Sequence, residues 1–186
     1  MNFKTLGLLS AIFVVGLNAS TASAQGFNFD DAKITVGIPA YVYHPDDRPG
    51  TADWNDGWFE NEGVFADLTW SFIELSPTTK LRAGPAVGVF DNSIFDTSVF
   101  FGGALEIESE LTQVVNVNSG LYAGGVTGYD YDVAPAAAPY ISASYELPQN
   151  FEVGLRGLWF PAETIGGSDV APSDAYIAAF TLGKRF

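Results

Sequence analysis

The stretch AYIAAFTLGKRF, residues 175–186, decides the fold. Tyr176, Ala178, Phe180 and Leu182 alternate with Ile177, Ala179, Thr181 and Gly183, ahead of Phe186. Successive side chains of a strand point to opposite faces, so a period of two specifies β-structure. The same period recurs upstream and predicts strands near 33–44, 63–75, 80–91, 97–109, 113–127, 138–147, 151–161 and 175–186. No stretch has a helical period long enough to compete. The connections alternate in length. SPTT, SELT and PQN are tight polar turns, whereas 45–62, 91–96, 128–137 and 162–174 are longer or more irregular.

The other end of the chain reads MNFKTLGLLSAIFVVGLNASTASAQ. Lys4, the apolar run Leu6 to Leu17 and the small-residue site Ala22-Ser23-Ala24 make residues 1–24 a secretory signal peptide, since that run is too short to span a bilayer. Residues 25–186 then form one domain by length. The formal net charge is −14, which excludes the basic footprint that nucleic acid needs. Cysteine is absent, so a small exported protein must be held by a large core or a closed sheet instead of disulfides. No P-loop, dinucleotide fingerprint or zinc spacing is present, and no cofactor or metal is expected. The run DWNDGWFENEG, residues 53–63, falls one residue short of a calcium-loop pattern; it reads either as a solvated acidic loop or as a source of oxygen ligands for divalent cations.

An exported chain with eight strands, tight turns at one end and longer loops at the other has the layout of an outer-membrane barrel. The last strand resembles the terminal strand of such barrels. The expected fold is an all-β, eight-stranded antiparallel up-and-down transmembrane β-barrel in the bacterial outer membrane. Both termini would be periplasmic and the four long loops outside the cell. Its partners would be phospholipid, lipopolysaccharide and the barrel assembly machinery. Each strand shows one continuously apolar face, such as Phe151, Val153, Leu155 and Trp159, which must meet lipid because a charge there costs about 2–4 kcal/mol at the midplane. The opposite face fills the lumen. Lys33, Arg82, Glu106, Glu108, Glu146, Glu152 and Arg185 fall near periplasmic ends, with Asp67 and Arg156 nearer the middle. Unpaired buried charges are too costly, so these are expected to pair as a lower polar plug. Trp54, Trp58 and Trp159 suit an aromatic girdle at the outer interface.

The upper lumen is expected to hold Tyr41, Tyr43, Phe90, Phe100, Tyr122, Tyr140, Leu158, Phe160 and Ile177 with Gly88, Gly102 and Gly124. An eight-stranded barrel has room for side chains or one small ligand. Either the glycines leave space for an elongated apolar guest or the aromatics close over them.

His44, the single histidine, lies at the outer end of strand 1, and the loop after strand 3 brings Asp91, Asn92 and Ser93 to the same rim. A serine beside a histidine over an apolar pocket suits acyl transfer, with the imidazole as base and an acidic or amide group orienting it. A solvated histidine and an ordinary loop serine are the bland alternative.

Several pieces resemble the outer-membrane lipid A palmitoyltransferase (PagP) family. They are His44 followed by DRPG (Arg48, Pro49), FDNS with Asp91 and Ser93, GGVTGY at 124–129, and LWFP before the last long loop. The resemblance implies an eight-stranded barrel that moves a fatty-acyl chain from a phospholipid to a lipid acceptor. It implies catalysis by His44, Asp91 and Ser93, with Asn92 as an alternative orienting group, and acyl binding by Tyr41, Phe90, Phe100, Tyr122, Tyr140 and Phe160. It also implies lateral gaps at Pro39, Pro139 and Pro161, because proline cannot donate to a ladder. Only QGFNFDDA precedes strand 1, so the family's N-terminal amphipathic helix has no counterpart. A non-catalytic barrel, structural or binding small apolar molecules, is the alternative function. A water-filled pore is disfavoured by the lumen aromatics.

Overall fold

The computed structural model describes residues 31–44, 57–58, 62–91, 97–128, 133–161 and 174–186. The signal-peptide segment, Ser93 and most of the long loops lie outside the described residues. Eight long strands follow in order: β1 Ala32–Tyr43, β2 Gly63–Ser76, β3 Thr79–Asp91, β4 Thr97–Glu110, β5 Val115–Val126, β6 Ala134–Leu147, β7 Phe151–Phe160 and β8 Ala175–Arg185. Each pairs antiparallel with the next, and β1 pairs with β8 from Lys33–Arg185 to Tyr43–Tyr176, which closes the cylinder. A two-residue strand, Gly57–Trp58, adds to the upper edge of β1. Closure satisfies the backbone groups that an open sheet would leave at its edges.

The tight turns lie at the end where β1 begins and β8 stops. Pro77–Thr78 turns β2 into β3, and Gln149 and Asn150 adopt left-handed φ of 66° and 62° between β6 and β7. The four longer connections lie at the opposite, loop end. β6 starts at Ala134, earlier than its sequence pattern implies, and Val126–Ala134 to Leu121–Pro139 extend its ladder with β5. APAAAP alternates no polar residue with its apolar ones, so the period of two is invisible there. Across β4 and β5, Gly102 and Gly124 are register partners. A Cβ on either would collide with the opposite backbone, at the Ala123 or the Phe101 carbonyl, so this approach needs glycine on both strands.

The faces separate by burial. Val87, Ile141, Leu155, Phe180 and Leu182 are exposed on the outside, whereas Arg82, Ala86, Ala104, Glu106, Tyr122 and Arg156 are buried inside. One irregularity changes the phase. The β1–β8 register shifts between Pro39 and Tyr41, a bulge at Ala40. Below it Lys33, Thr35 and Pro39 point inward; above it Val42 and His44 do. An extra residue in one strand sends every later side chain to the other face. Tyr41 and Tyr43, expected in the lumen, are therefore on the outer phase, and Tyr43 is exposed.

The lower lumen is an ionic plug, as the spacing of charges predicts. Lys33 Nζ lies 2.9 Å from Glu106 and 2.6 Å from Glu108. The Arg185 guanidinium bonds Glu108 at 3.0 and 3.1 Å and Glu152 at 2.9 Å. Arg82, fully buried, donates to Asp31 Oδ2 at 3.0 Å and to the Thr69 carbonyl at 3.1 Å. Glu146 is half-buried opposite Glu152.

Asp31 precedes the first strand and ties the incoming chain to this plug. Burial pushes its carboxyl pKa up, but the Ser71 hydrogen bond and the Arg82 and Lys80 charges outweigh that and hold it below its ordinary value. A carboxyl held low stabilises the fold above its unfolded pKa, and the contribution is lost as pH falls through the folded value. Asp31→Asn should lower the melting temperature at neutral pH, with the difference from wild type closing below about pH 4. Thermal melts in detergent at several pH values check this; a difference that grows on acidification would contradict it.

Candidate functional site

Above the plug the lumen holds a charge wrapped in aromatic rings. β7 brings in Arg156, β2 Asp67 and Phe65, β5 Tyr122 and β6 Tyr140. Arg156 Nη1 donates to Asp67 Oδ2 at 2.8 Å and to the Tyr122 hydroxyl, which itself donates to Asp67. The guanidinium lies over the Tyr140 ring at 4.4 Å and within 5.6 Å of the Phe65 and Tyr122 rings. Tyr140 donates to Glu106 at 2.9 Å, which joins this layer to the plug. The two tyrosines, read from sequence as apolar lining, thus spend their hydroxyls on buried carboxylates. That pairing offsets the cost of placing charge in the interior.

Higher up, Phe100 lies 6.1 Å from Tyr122, and Phe90 lies 6.4 Å from Phe160. The Phe65 and Tyr140 rings occupy the space that side chains at Gly37 and Gly120 would need, and Phe65 Cβ would lie 3.3 Å from a Cβ on Gly88. At these positions the aromatics close over the glycines.

At the loop end, His44 follows β1 directly and is 2% exposed. The Ala40 bulge gives it the inward phase. Asp91 ends β3, half-buried, and accepts a bond from the Thr97 hydroxyl at 3.4 Å. Ser93 and Asn92 lie outside the described residues, so the structure describes only two members of the expected triad.

The three prolines mark irregular pairing. Pro39 adjoins the bulge, and the β1–β2 ladder ends at Gly37–Phe65. The β6–β7 ladder runs from Leu147–Phe151 to Tyr140–Leu158 and stops beside Pro139, which has no N–H to continue it. Pro161 follows the last residue of β7.

Beside the Pro139 break, a shallow, widely open and almost wholly apolar cavity of about 760 Å³ lies on the outer face of the barrel wall. Its outer-phase lining comes in cross-strand rows. Gly157 and Ala178 are register partners, and Ala178 pairs with Tyr41. One row nearer the loop end, Trp159 pairs with Tyr176 and Tyr176 with Tyr43. Ile141 stands beside Gly157. The small pair Gly157–Ala178 thus forms a floor beneath a row of three aromatics. A Cβ on Gly157 would meet nothing closer than Ile141 at 4.0 Å. Tyr140, Leu158 and Ile177, of the inner phase, also border it. Of the expected acyl-binding residues, Tyr41 and Tyr140 line this cavity, while Phe90, Phe100, Tyr122 and Phe160 pack inside the lumen. Gly157 was missed, because a glycine in LRGLWF reads like any other until its neighbours across three strands are known.

Among the described residues no group of three or more His, Cys, Asp or Glu is placed to hold a metal ion. No protein-family model and no curated protein matches the chain. Solved structures with a similar fold include the outer membrane enzyme PagL, at TM-score 0.48 and 13% identity over 83% of this chain and 99% of that one. The Yersinia pestis outer membrane protein Ail in a phospholipid bilayer nanodisc gives 0.47 and 11% over 84% and 99%. OprG from Pseudomonas aeruginosa, also an outer membrane protein, gives 0.38 and 10% over 86% and 98%.

Proposed function

We propose that the protein is an outer-membrane barrel that seats an acyl chain of a membrane lipid in the wall cavity beside Pro139. The single observation behind this reading is an apolar cavity of about 760 Å³ on a surface that already presents Ile141, Leu155 and Phe180 outward. Such a belt suits hydrocarbon, and a recess in it exchanges bulk lipid contacts for a shaped site. Residues 1–24 direct export, and the barrel assembly machinery takes up the final strand ending in Phe186. Gly157→Phe raises the floor of the cavity with no backbone collision at its Cβ. Native mass spectrometry of the refolded protein with phospholipid should show a retained lipid in wild type. The variant should bind at least about tenfold more weakly, which is ~1.4 kcal/mol. Equal retention by both proteins contradicts the reading.

A second reading is acyl transfer of the lipid A palmitoyltransferase kind, and the inward burial of His44 on the rim that also carries Asp91 favours it. The Ser93 hydroxyl attacks the phospholipid ester, His44 takes its proton, and Asp91 or Asn92 orients the ring. The lysophospholipid leaves with that proton; a hydroxyl of the lipid acceptor then gives its proton to His44 and takes the acyl group, and the proton passes from His44 to the released Ser93 oxygen. Labelled phospholipid incubated with lipid A should yield acylated acceptor, and His44→Ala or Ser93→Ala should each lower the rate roughly 100-fold or more. Transfer unaffected by both substitutions leaves the binding function alone.

A further inference from the structure

The rim of the wall cavity carries a second chemistry besides its apolar floor. Trp159, Tyr176 and Tyr43 form one row across β7, β8 and β1, each between 40% and 46% exposed. The Trp159 and Tyr176 rings are stacked, 6.3 Å between centroids and 7° from parallel. Asp174, immediately before β8, accepts a bond from Trp159 Nε1 at 3.1 Å, which fixes its carboxylate at the edge of the stacked pair. Aromatic faces attract a cation through the ring quadrupole, and a carboxylate accepts hydrogen bonds from an ammonium group.

The distribution of charge points the same way. Among the described residues Lys33, Lys80, Arg82, Lys184 and Arg185 lie at the tight-turn end and Arg156 lies inside the lumen. At the loop end the described charged residues are Glu62, Asp91 and Asp174. Against these described carboxylates a headgroup of net negative charge meets like charge, whereas a zwitterionic one can turn its cationic end to the rim. Asp174 further separates ammonium types, because a primary ammonium donates hydrogen bonds to it and a quaternary one cannot.

We propose that the wall cavity selects a zwitterionic aminophospholipid. Its acyl chain lies over Gly157 and Ala178, and its primary ammonium sits against Trp159, Tyr176 and the Asp174 carboxylate. This rests on the acyl-chain reading of the same cavity.

The test is competitive lipid binding to the refolded full barrel. Phosphatidylethanolamine, phosphatidylcholine and phosphatidylglycerol with identical acyl chains compete, and native mass spectrometry counts what is retained. Wild type should retain the ethanolamine lipid about fivefold or more over each of the others, in keeping with one charge-assisted hydrogen bond. Asp174→Asn should remove the preference over the choline lipid while total retention persists, and Gly157→Phe should lower retention of all three. Equal retention of the three lipids by wild type overturns the headgroup selection and leaves acyl-chain binding standing. A preference undiminished in Asp174→Asn also overturns it. Retention of none of them overturns both readings.

Discussion

Replacing Arg156 by methionine should cost the barrel about 3–5 kcal/mol, the penalty for leaving one partner of a buried ion pair without its counter-charge. The guanidinium is 2% exposed and bonds Asp67, which is equally buried. Three aromatic rings surround it, with Tyr140 the nearest at 4.4 Å. Removing it strands the Asp67 carboxylate and leaves the Tyr122 hydroxyl without one of its two partners. The damage comes from what remains. Arg156→Met combined with Asp67→Leu should therefore recover part of the loss, since a packed apolar pair can match or exceed a buried ionic one, while the Tyr122 hydroxyl then lacks both partners. Urea titrations in lipid vesicles, followed by tryptophan fluorescence, measure both variants. A neutral single substitution, or a double variant no better than the single one, would show that the pair does not hold the middle of the lumen.

The second large effect concerns the outside. Leu155 is 58% exposed, in a row with Ala143 of β6 and Phe180 of β8. In a bilayer that row meets hydrocarbon, and Leu155→Arg should cost about 2–4 kcal/mol in vesicles. Val64, also outward but next to the loop end of β2, should tolerate arginine at about 0–1 kcal/mol. The gradient between the two positions is the informative quantity. The same pair measured in an ordinary water-soluble β-protein would show no dependence on height along the strand. Equal costs at the two sites would contradict a barrel seated in a bilayer.

Much of this architecture is readable in the chain because strands carry a period of two and lumen charges interrupt it at fixed places. Arg82, Glu106, Glu108 and Glu152 each fall on the face opposite an apolar row, and all four are buried in the plug. Two features escape that reading for physical reasons. IPAYVYH keeps a regular alternation on paper, but the extra residue at Ala40 reverses its meaning, so Tyr41 and Tyr43 exchange sides with Val42 and His44. A bulge is a property of two strands together and leaves no mark on one. The wall cavity is likewise a relation among β6, β7, β8 and β1, set by Gly157 and Ala178 falling in register where Pro139 ends a ladder. His44 was legible as a rim residue, while its inward burial depended on the same bulge.

The seam of the cylinder joins the first long strand to the last, Lys33 to Arg185 and, through the backbone, Phe186 to Ala32. A chain that stops short of β8 cannot complete that union, because β1 finds its closing partner only there. Until then the nascent sheet carries two naked edges, each a template for pairing with a stranger. A contact between residues about 150 positions apart also demands a large loss of chain freedom before it returns anything, which makes closure slow. The order of the staves thus leaves both edges open until β8 is in place.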